Sequence, residues 1–271
     1  MGKCKLIALD LDGTLTDSDK KLPEPNKHVL MQMQERGVKV VLASGRPTYG
    51  IVHLAKELEL SRYGGYILAY NGAFVIECGS GKLISSTLFP REMLSQVEAL
   101  AHELGVEPLT YDDPADTILA KNADDEWIQH EAWLNNHMKL RIVDSLDETA
   151  PMELPKCLMV GAPERMAEVE PIVREKFPML DVYRSSPYFL EIVPKGIDKA
   201  ASLDVLGSHI GISRNEMAAF GDGYNDISMV QYAGWGVAMV NGCDEIKAVA
   251  DYVTLSNDEC GVAHAITQLD L

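Results

Sequence analysis

An apolar segment that ends in two carboxylates constrains the fold of this chain more than any other feature. Leu6–Leu9 predicts a buried strand, and Asp10 and Asp12 follow it where a loop must begin. Residues i and i+2 of an extended chain point to the same side, so both carboxylates should project into one small volume. Two like charges that close are costly unless a cation or a shared proton accompanies them. The pair therefore indicates a divalent metal and a negatively charged substrate.

Strand-like and helix-like segments alternate along most of the chain, which is typical of a parallel sheet with crossover helices. The alternation covers residues 1–86 and 191–271. Between residues 87 and 190 short strands and helices are mixed instead. The sequence therefore predicts an α/β fold, with a doubly wound, Rossmann-like parallel-sheet core at 1–86 and 191–271 and an inserted α+β domain at 87–190.

Three further groups of polar residues stand at predicted strand ends or helix starts. In chain order they are Ser44 and Gly45, then Lys199, and then Asp222, Asn225 and Asp226. Ligands of open α/β sheets bind outside the carboxyl ends of the strands. These residues can therefore converge with the first carboxylate pair although they are far apart in sequence.

In this order the motifs resemble those of the haloacid dehalogenase-like phosphotransferases. The first has the form DxDGT at Asp10–Thr14, and the last reads GDGYND at Gly221–Asp226. The resemblance spans the whole chain and is greatest to the Cof-type phosphatases. It implies that residues 87–190 form a cap, placed between the second and third motifs, that sets substrate specificity.

The first carboxylate pair can carry the chemistry of phosphoryl transfer. A carboxylate can attack phosphorus and give an aspartyl-phosphate that water later cleaves, so we expect Asp10 to be the nucleophile. Asp12 would be the general acid and then the general base. The resemblance implies the same roles, and adds that the backbone amide of Leu11 faces the phosphate. Dehalogenating relatives lack the second aspartate, which favours phosphoryl transfer here. The alternative is an acidic strand end that only turns the chain.

The clustered acids predict Mg²⁺ as the cofactor, because this ion prefers hard oxygen ligands and keeps several waters. By resemblance its ligands are the Asp10 carboxylate, the Asp12 backbone carbonyl and Asp222. Asp226 either orients the groups around the metal or caps the following helix, a position that aspartate favours on its own. The choice between Mg²⁺ and Mn²⁺ stays open.

The remaining polar residues are candidates for binding phosphate. Ser44 and Gly45 precede a helix, where a hydroxyl and a bare amide suit an anion; alternatively, Ser44 is only a helix N-cap. Lys199 would bind the phosphoryl oxygens and offset the carboxylates. Lys195 is its nearest competitor, but the family pattern places the catalytic lysine second. Asn225 can donate to a phosphate oxygen or be an ordinary turn residue.

Residues that select the substrate are harder to identify. Asn71-Gly72 follows another predicted strand, and it either touches the leaving group or forms a simple turn. The predicted cap contains no motif that names a substrate.

Charge and composition restrict the partners. Lysine and arginine total 24 against 41 acidic residues, a formal net charge of −17, which argues against nucleic acids and anionic membranes. No apolar run approaches the roughly 20 residues of a membrane span. The five cysteines are scattered and never form a CxxC pair, as is typical of reduced thiols in a cytoplasmic protein. No obligate protein partner is evident, and the expected partner is a small phosphate ester.

These observations predict a Mg²⁺-dependent phosphatase that hydrolyses small phosphorylated metabolites, such as sugar phosphates or phosphorylated cofactors, through an aspartyl-phosphate. One alternative is a phosphomutase of the same superfamily, which shares this type of cap. Another is a non-catalytic metabolite-binding protein on a degenerate scaffold. The intact set of candidate residues argues against the second alternative; it comprises Asp10, Asp12, Ser44, Lys199 and Asp222.

Overall fold

The computed structural model describes residues 4–113 and 116–271. Within these ranges the chain forms fourteen β-strands and eleven α-helices. The strands are β1 (Leu6–Leu9), β2 (Lys39–Ala43), β3 (Tyr66–Ala69), β4 (Phe74–Glu77), β5 (Leu83–Ser86), β6 (Glu107–Asp112), β7 (Thr117–Ala120), β8 (Lys139–Ile142), β9 (Cys157–Val160), β10 (Leu180–Ser186), β11 (Phe189–Pro194), β12 (Met217–Gly221), β13 (Trp235–Met239) and β14 (Tyr252–Thr254). The helices are α1 (Glu24–Glu35), α2 (Thr48–Glu57), α3 (Leu60–Tyr63), α4 (Leu94–Leu104), α5 (Glu126–Leu134), α6 (Leu146–Thr149), α7 (Pro163–Lys176), α8 (Lys199–Ile210), α9 (Ile227–Tyr232), α10 (Asp244–Val249) and α11 (Gly261–Gln268).

The chain divides into two compact units. The first contains residues up to Gly45, Ile51–Ser86 and Asp198–Leu271, and the second contains Arg46–Gly50 and Thr87–Ile197. The boundary expected between residues 190 and 191 falls inside β11. That strand pairs with β10 and β9 in the sheet of the second unit, so its hydrogen bonds keep the whole strand in that unit.

An eight-stranded sheet forms the first unit, in the order β14-β13-β12-β1-β2-β3-β4-β5. All pairs from β14 to β3 are parallel, and the hairpin of β4 and β5 adds an antiparallel edge. All four residues of β1 are fully buried. A strand covered on both faces reads as a continuous apolar run, which explains the segment that precedes Asp10. The predicted α/β class with a mainly parallel core sheet is confirmed.

The strand order indicates where along the sheet a ligand binds. From β1 the chain adds β2 and β3 on one side, and it later adds β12, β13 and β14 on the other. The order therefore reverses next to β1, and the crevice at such a switch point is the usual ligand site of an open α/β sheet. Leu9 lies opposite Leu42 of β2 and Phe220 of β12, so the loops after these three strands emerge side by side.

The second unit has a six-stranded sheet in the order β10-β11-β9-β6-β7-β8, antiparallel except between β7 and β8. A hydrophobic core joins this sheet to α4, α6 and α7, with Val97, Leu146 and Val169 among its buried members. This is the α+β architecture predicted for the insertion. No helix among the described residues of either unit combines the length and apolar character that crossing a bilayer requires.

Candidate active site

Three carboxylates converge at the carboxyl edge of the first unit's sheet. Asp10 follows β1, Asp222 follows β12, and Asp226 directly precedes α9. One carboxylate oxygen from each lies within 4.8 Å of the others. Asp10 is 6% exposed and Asp226 only 1%. The convergence expected from the strand ends is therefore present, with Asp226 as a full member of the cluster.

A buried lysine lies among these carboxylates. Lys199 is the first residue of α8 and is fully buried. Its Nζ donates to Asp10 Oδ1 and to Asp226 Oδ1, each at 2.6 Å. Burial alone would lower the pKa of Lys199, but the attraction of the two carboxylates outweighs it and raises the pKa. Lys195, the competing candidate, is exposed.

Negative charge exceeds positive charge in this cluster. Burial, together with repulsion from Asp226 and Asp222, raises the pKa of Asp10 well above its usual value although Lys199 opposes the change. Burial is also the main cause that raises the pKa of Asp222 to about 6. Such carboxylates are ionised at a cost unless a further cation is present. The donor set, hard oxygens with unbalanced charge, fits a divalent ion such as Mg²⁺.

Besides contacting Lys199, Asp226 accepts hydrogen bonds from the loop that begins at Asp222. Its Oδ2 accepts from the backbone N–H of Asp222 at 3.2 Å and of Gly223 at 3.0 Å. It makes no capping bond to α9, so the alternative in which Asp226 caps that helix is wrong. Gly221 leaves room for it, because a Cβ there would lie 2.3 Å from the Asp226 Cβ.

Asp12 lies in a different environment from Asp10. Its carboxylate is not part of the three-carboxylate cluster; instead, Lys20 Nζ lies 2.8 Å from Asp12 Oδ1 at a partly exposed position. Leu11 lies between the two aspartates, and its position is fixed by its carbonyl, which accepts from the Thr16 amide at 3.0 Å and from the Thr16 hydroxyl at 2.9 Å. One aspartate is thus buried among charges and the other half-exposed beside a lysine.

The loop after β1 also holds Asp222 in place. Thr14 Oγ1 donates to Asp222 Oδ1 at 2.6 Å. Gly13 has φ of +80°, and a Cβ on it would lie 2.4 Å from Asp222 Oδ2. This role of Gly13 and Thr14 was not predicted from the sequence, although both belong to the DxDGT motif and are its only members without an assigned task.

Ser44 directly follows β2 and is 3% exposed. Its amide donates to the carbonyl of Leu68, and its carbonyl accepts from the amide of Asn71. Helix α2 begins only at Thr48, so the alternative in which Ser44 is merely its N-cap is wrong. Gly45 packs against the Asn71 carboxamide, because a Cβ on it would lie 3.3 Å from both terminal atoms.

Asn225 lies in the loop between Asp222 and Asp226 and connects this loop to the residues that follow β3. Its Nδ2 donates to Asn71 Oδ1 at 3.0 Å. The structure therefore links Ser44, Gly45 and Asn225 through Asn71. The sequence pointed to Asn71 only as a leaving-group contact or a turn residue.

Comparisons with known proteins agree with this geometry. The family model of the haloacid dehalogenase-like hydrolases matches residues 7–266. A crystal structure of a haloacid dehalogenase-like hydrolase from Bacteroides thetaiotaomicron has 45% sequence identity and a TM-score of 0.95, and the match covers 98% of this chain and 100% of that one.

Two further relatives bear the names of phosphatases. The Bacillus subtilis protein YxeH, named as a phosphatase, is 33% identical over 98% of both chains. The structure of the HAD subclass IIB sugar phosphatase BT4131 has 26% identity and a TM-score of 0.81, and the match covers 98% of this chain and 99% of that one. The chain therefore belongs to the haloacid dehalogenase-like hydrolases, as a phosphatase of their Cof type.

Proposed function

We propose that this phosphatase hydrolyses small phosphate monoesters by transferring the phosphoryl group to Asp10. The observation that carries this proposal is the buried Asp10 carboxylate, which is hydrogen-bonded to Lys199 at the switch point of the sheet. Burial with a fixed cation suits a nucleophile that must meet an anionic group in a site shielded from water.

Asp10 and Asp12 divide the proton and phosphorus chemistry between them. One Asp10 oxygen bonds to phosphorus while the bond from phosphorus to the leaving oxygen breaks, and Asp12 gives that oxygen a proton. Asp12 then takes a proton from a water that attacks phosphorus. The bond to Asp10 breaks, and phosphate leaves. This division requires Asp10 to be ionised, so the charges of Lys199 and of the bound cation would have to offset the burial and repulsion that raise the pKa of Asp10 in the metal-free protein.

The cation would be held by the Asp10 and Asp222 carboxylates and by the Asp12 backbone carbonyl. When bound, Mg²⁺ supplies positive charge that offsets the phosphoryl oxygens. The excess of carboxylates over lysine in the cluster supports this assignment. Asp226 orients the others through its bonds to Lys199 and the loop amides.

Donors for the phosphoryl oxygens come from four segments of the first unit. We assign them to Lys199, the Ser44 hydroxyl, the Asn225 amide, and the backbone amides of Leu11 and Gly45. Fixed donors cost no reorganisation when charge develops on the transferring group, so their main effect should be on the transition state.

The substrates we propose are sugar phosphates or phosphorylated cofactors. The sugar phosphatase BT4131, which has the same fold, supports the first class. We assign the second unit, predicted as residues 87–190, the role of a cap that selects the leaving group. The scattered cysteines support a cytoplasmic location.

Release of inorganic phosphate from a panel of phosphorylated metabolites tests this function. With Mg²⁺ we expect each productive substrate to yield one phosphate and one alcohol, and we expect a chelator to stop the reaction until Mg²⁺ is restored. A phosphomutase would instead give an isomeric sugar phosphate without free phosphate. No reaction with any ester, including p-nitrophenyl phosphate, would favour the metabolite-binding alternative.

Two glycines with left-handed backbones test the metal site independently of turnover. Gly13 has φ of +80° and faces Asp222, whereas Gly37 has φ of +89° with nothing within 4 Å of the position that a Cβ would take. Either change to alanine should lower the free energy of unfolding by about 1–2 kcal/mol through backbone strain. Only Gly13→Ala should also weaken the rise in melting temperature that Mg²⁺ causes, because it displaces Asp222. If Mg²⁺ raised the melting temperature of both variants equally, Asp222 would not be a metal ligand.

A further inference from the structure

Three consecutive residues after β3 adopt left-handed backbone conformations. Tyr70 has φ of +53°, Asn71 +57° and Gly72 +96°. Residues other than glycine seldom adopt this region, and they do so mainly where surrounding contacts impose it, often at functional sites. Two contacts do so here: the Asn71 amide donates to the Ser44 carbonyl at 2.8 Å, and Ser202 Oγ donates to the Gly72 carbonyl at 2.8 Å.

The side chain of Asn71 links two phosphate-binding segments of the proposed site. Its Oδ1 accepts from Asn225 Nδ2 across 154 positions of sequence. Its carboxamide also packs where a Cβ on Gly45 would stand. One N–H of Asn225 is thereby committed to Asn71, which fixes how the carboxamide of Asn225 is oriented.

A turn of this shape does not itself require asparagine. Glycine adopts a positive φ without the Cβ penalty that asparagine carries. Asparagine at position 71 therefore adds a carboxamide at a conformational cost, and that carboxamide contacts Asn225 and Gly45.

We infer that Asn71 is a positioning residue for phosphoryl transfer, acting through Asn225; this inference rests on the proposed function. By holding one N–H of Asn225, it presents the other donor of that amide to the phosphoryl oxygens. A pre-oriented donor acts most strongly on the transition state. The loss of Asn71 should therefore lower kcat more than it raises KM.

The variants Asn71→Gly and Asn71→Ala separate the side chain from the backbone. Glycine keeps the left-handed turn and removes the carboxamide, whereas alanine also strains the backbone. We expect Asn71→Gly to melt close to the wild-type temperature but to lose about tenfold in kcat/KM for p-nitrophenyl phosphate, the scale of one hydrogen bond. Asn71→Ala should show the same loss of activity together with a lower melting temperature.

A double-mutant cycle with Asn225→Ala identifies the route of the effect. If Asn71 acts through Asn225, Asn71→Gly should change kcat/KM less than twofold once Asn225 is alanine. An equal tenfold loss in both backgrounds, or full activity of Asn71→Gly alone, would overturn the inference while the hydrolysis by the wild type upholds the proposed function. No hydrolysis by the wild type would overturn both.

Discussion

Asp10→Asn is expected to lose at least about 10³-fold in kcat, about 4 kcal/mol of transition-state stabilisation. The amide retains the size of the side chain but cannot act as a nucleophile towards phosphorus at neutral pH. Steady-state hydrolysis of p-nitrophenyl phosphate with saturating Mg²⁺ measures the loss. Asp244→Asn is the matched control, because its fully exposed side chain allows the same chemical change outside the carboxylate cluster.

Stability should not fall with activity in the Asp10 variant. The raised pKa of Asp10 means that the folded protein disfavours its ionised form, so the cluster destabilises the metal-free protein at neutral pH. Removing one of three crowded carboxylates relieves repulsion, while Asp226 still pairs with Lys199. With a chelator present, we expect a melting temperature equal to or above that of the wild type. A folded variant with wild-type kcat would refute Asp10 as the nucleophile.

Lys199→Met is expected to lose both activity and stability. The lysine is fully buried and holds two carboxylates at 2.6 Å. Removing one partner of a buried ion pair leaves uncompensated charge and typically costs about 3–5 kcal/mol of unfolding free energy. The same change removes the only lysine that contacts the carboxylate cluster among the described residues. We therefore expect a loss of kcat of at least about 10²-fold.

Acid should partly restore the stability of the Lys199 variant. Without the lysine the pKa of Asp10 rises further, and a carboxyl with a raised pKa in the folded state destabilises the protein above that pKa. In the metal-free protein, the difference in unfolding free energy between the variant and the wild type should therefore become smaller as the pH falls from 8 towards 5. Chemical unfolding at both pH values measures it, with Lys195→Met as the control at an exposed lysine. A constant gap, or an equal loss in the control, would contradict the buried charge balance.

The convergence of Asp10, Lys199 and Asp222 could be predicted from sequence because each follows or precedes a recognisable element. The carboxyl ends of parallel strands meet at one edge of the sheet, so polar residues there must be neighbours whatever their separation. The apolar run of β1 predicted a buried strand, since a strand covered on both faces lacks polar alternation.

Pairwise contacts within the site could not be predicted in this way. Thr14 and Asp222 are 208 positions apart, and Asn71 and Asn225 are 154 apart. Each of these residue types is common in turns, so local chemistry alone explains its presence. The boundary predicted between residues 190 and 191 cuts through β11 for a related reason: an apolar strand reads alike in either sheet, and only its partners β9 and β10 decide to which unit it belongs.

Covalent capture of the phosphoryl group tests the central claim most directly. In Asp12→Asn, p-nitrophenyl phosphate still reacts in the first step because its leaving group needs no proton, whereas the second step lacks its base. Acid quenching followed by mass analysis of peptides should therefore find one added phosphoryl group on Asp10. Its absence from Asp10 during continuing turnover, or its presence on another residue, would contradict the account.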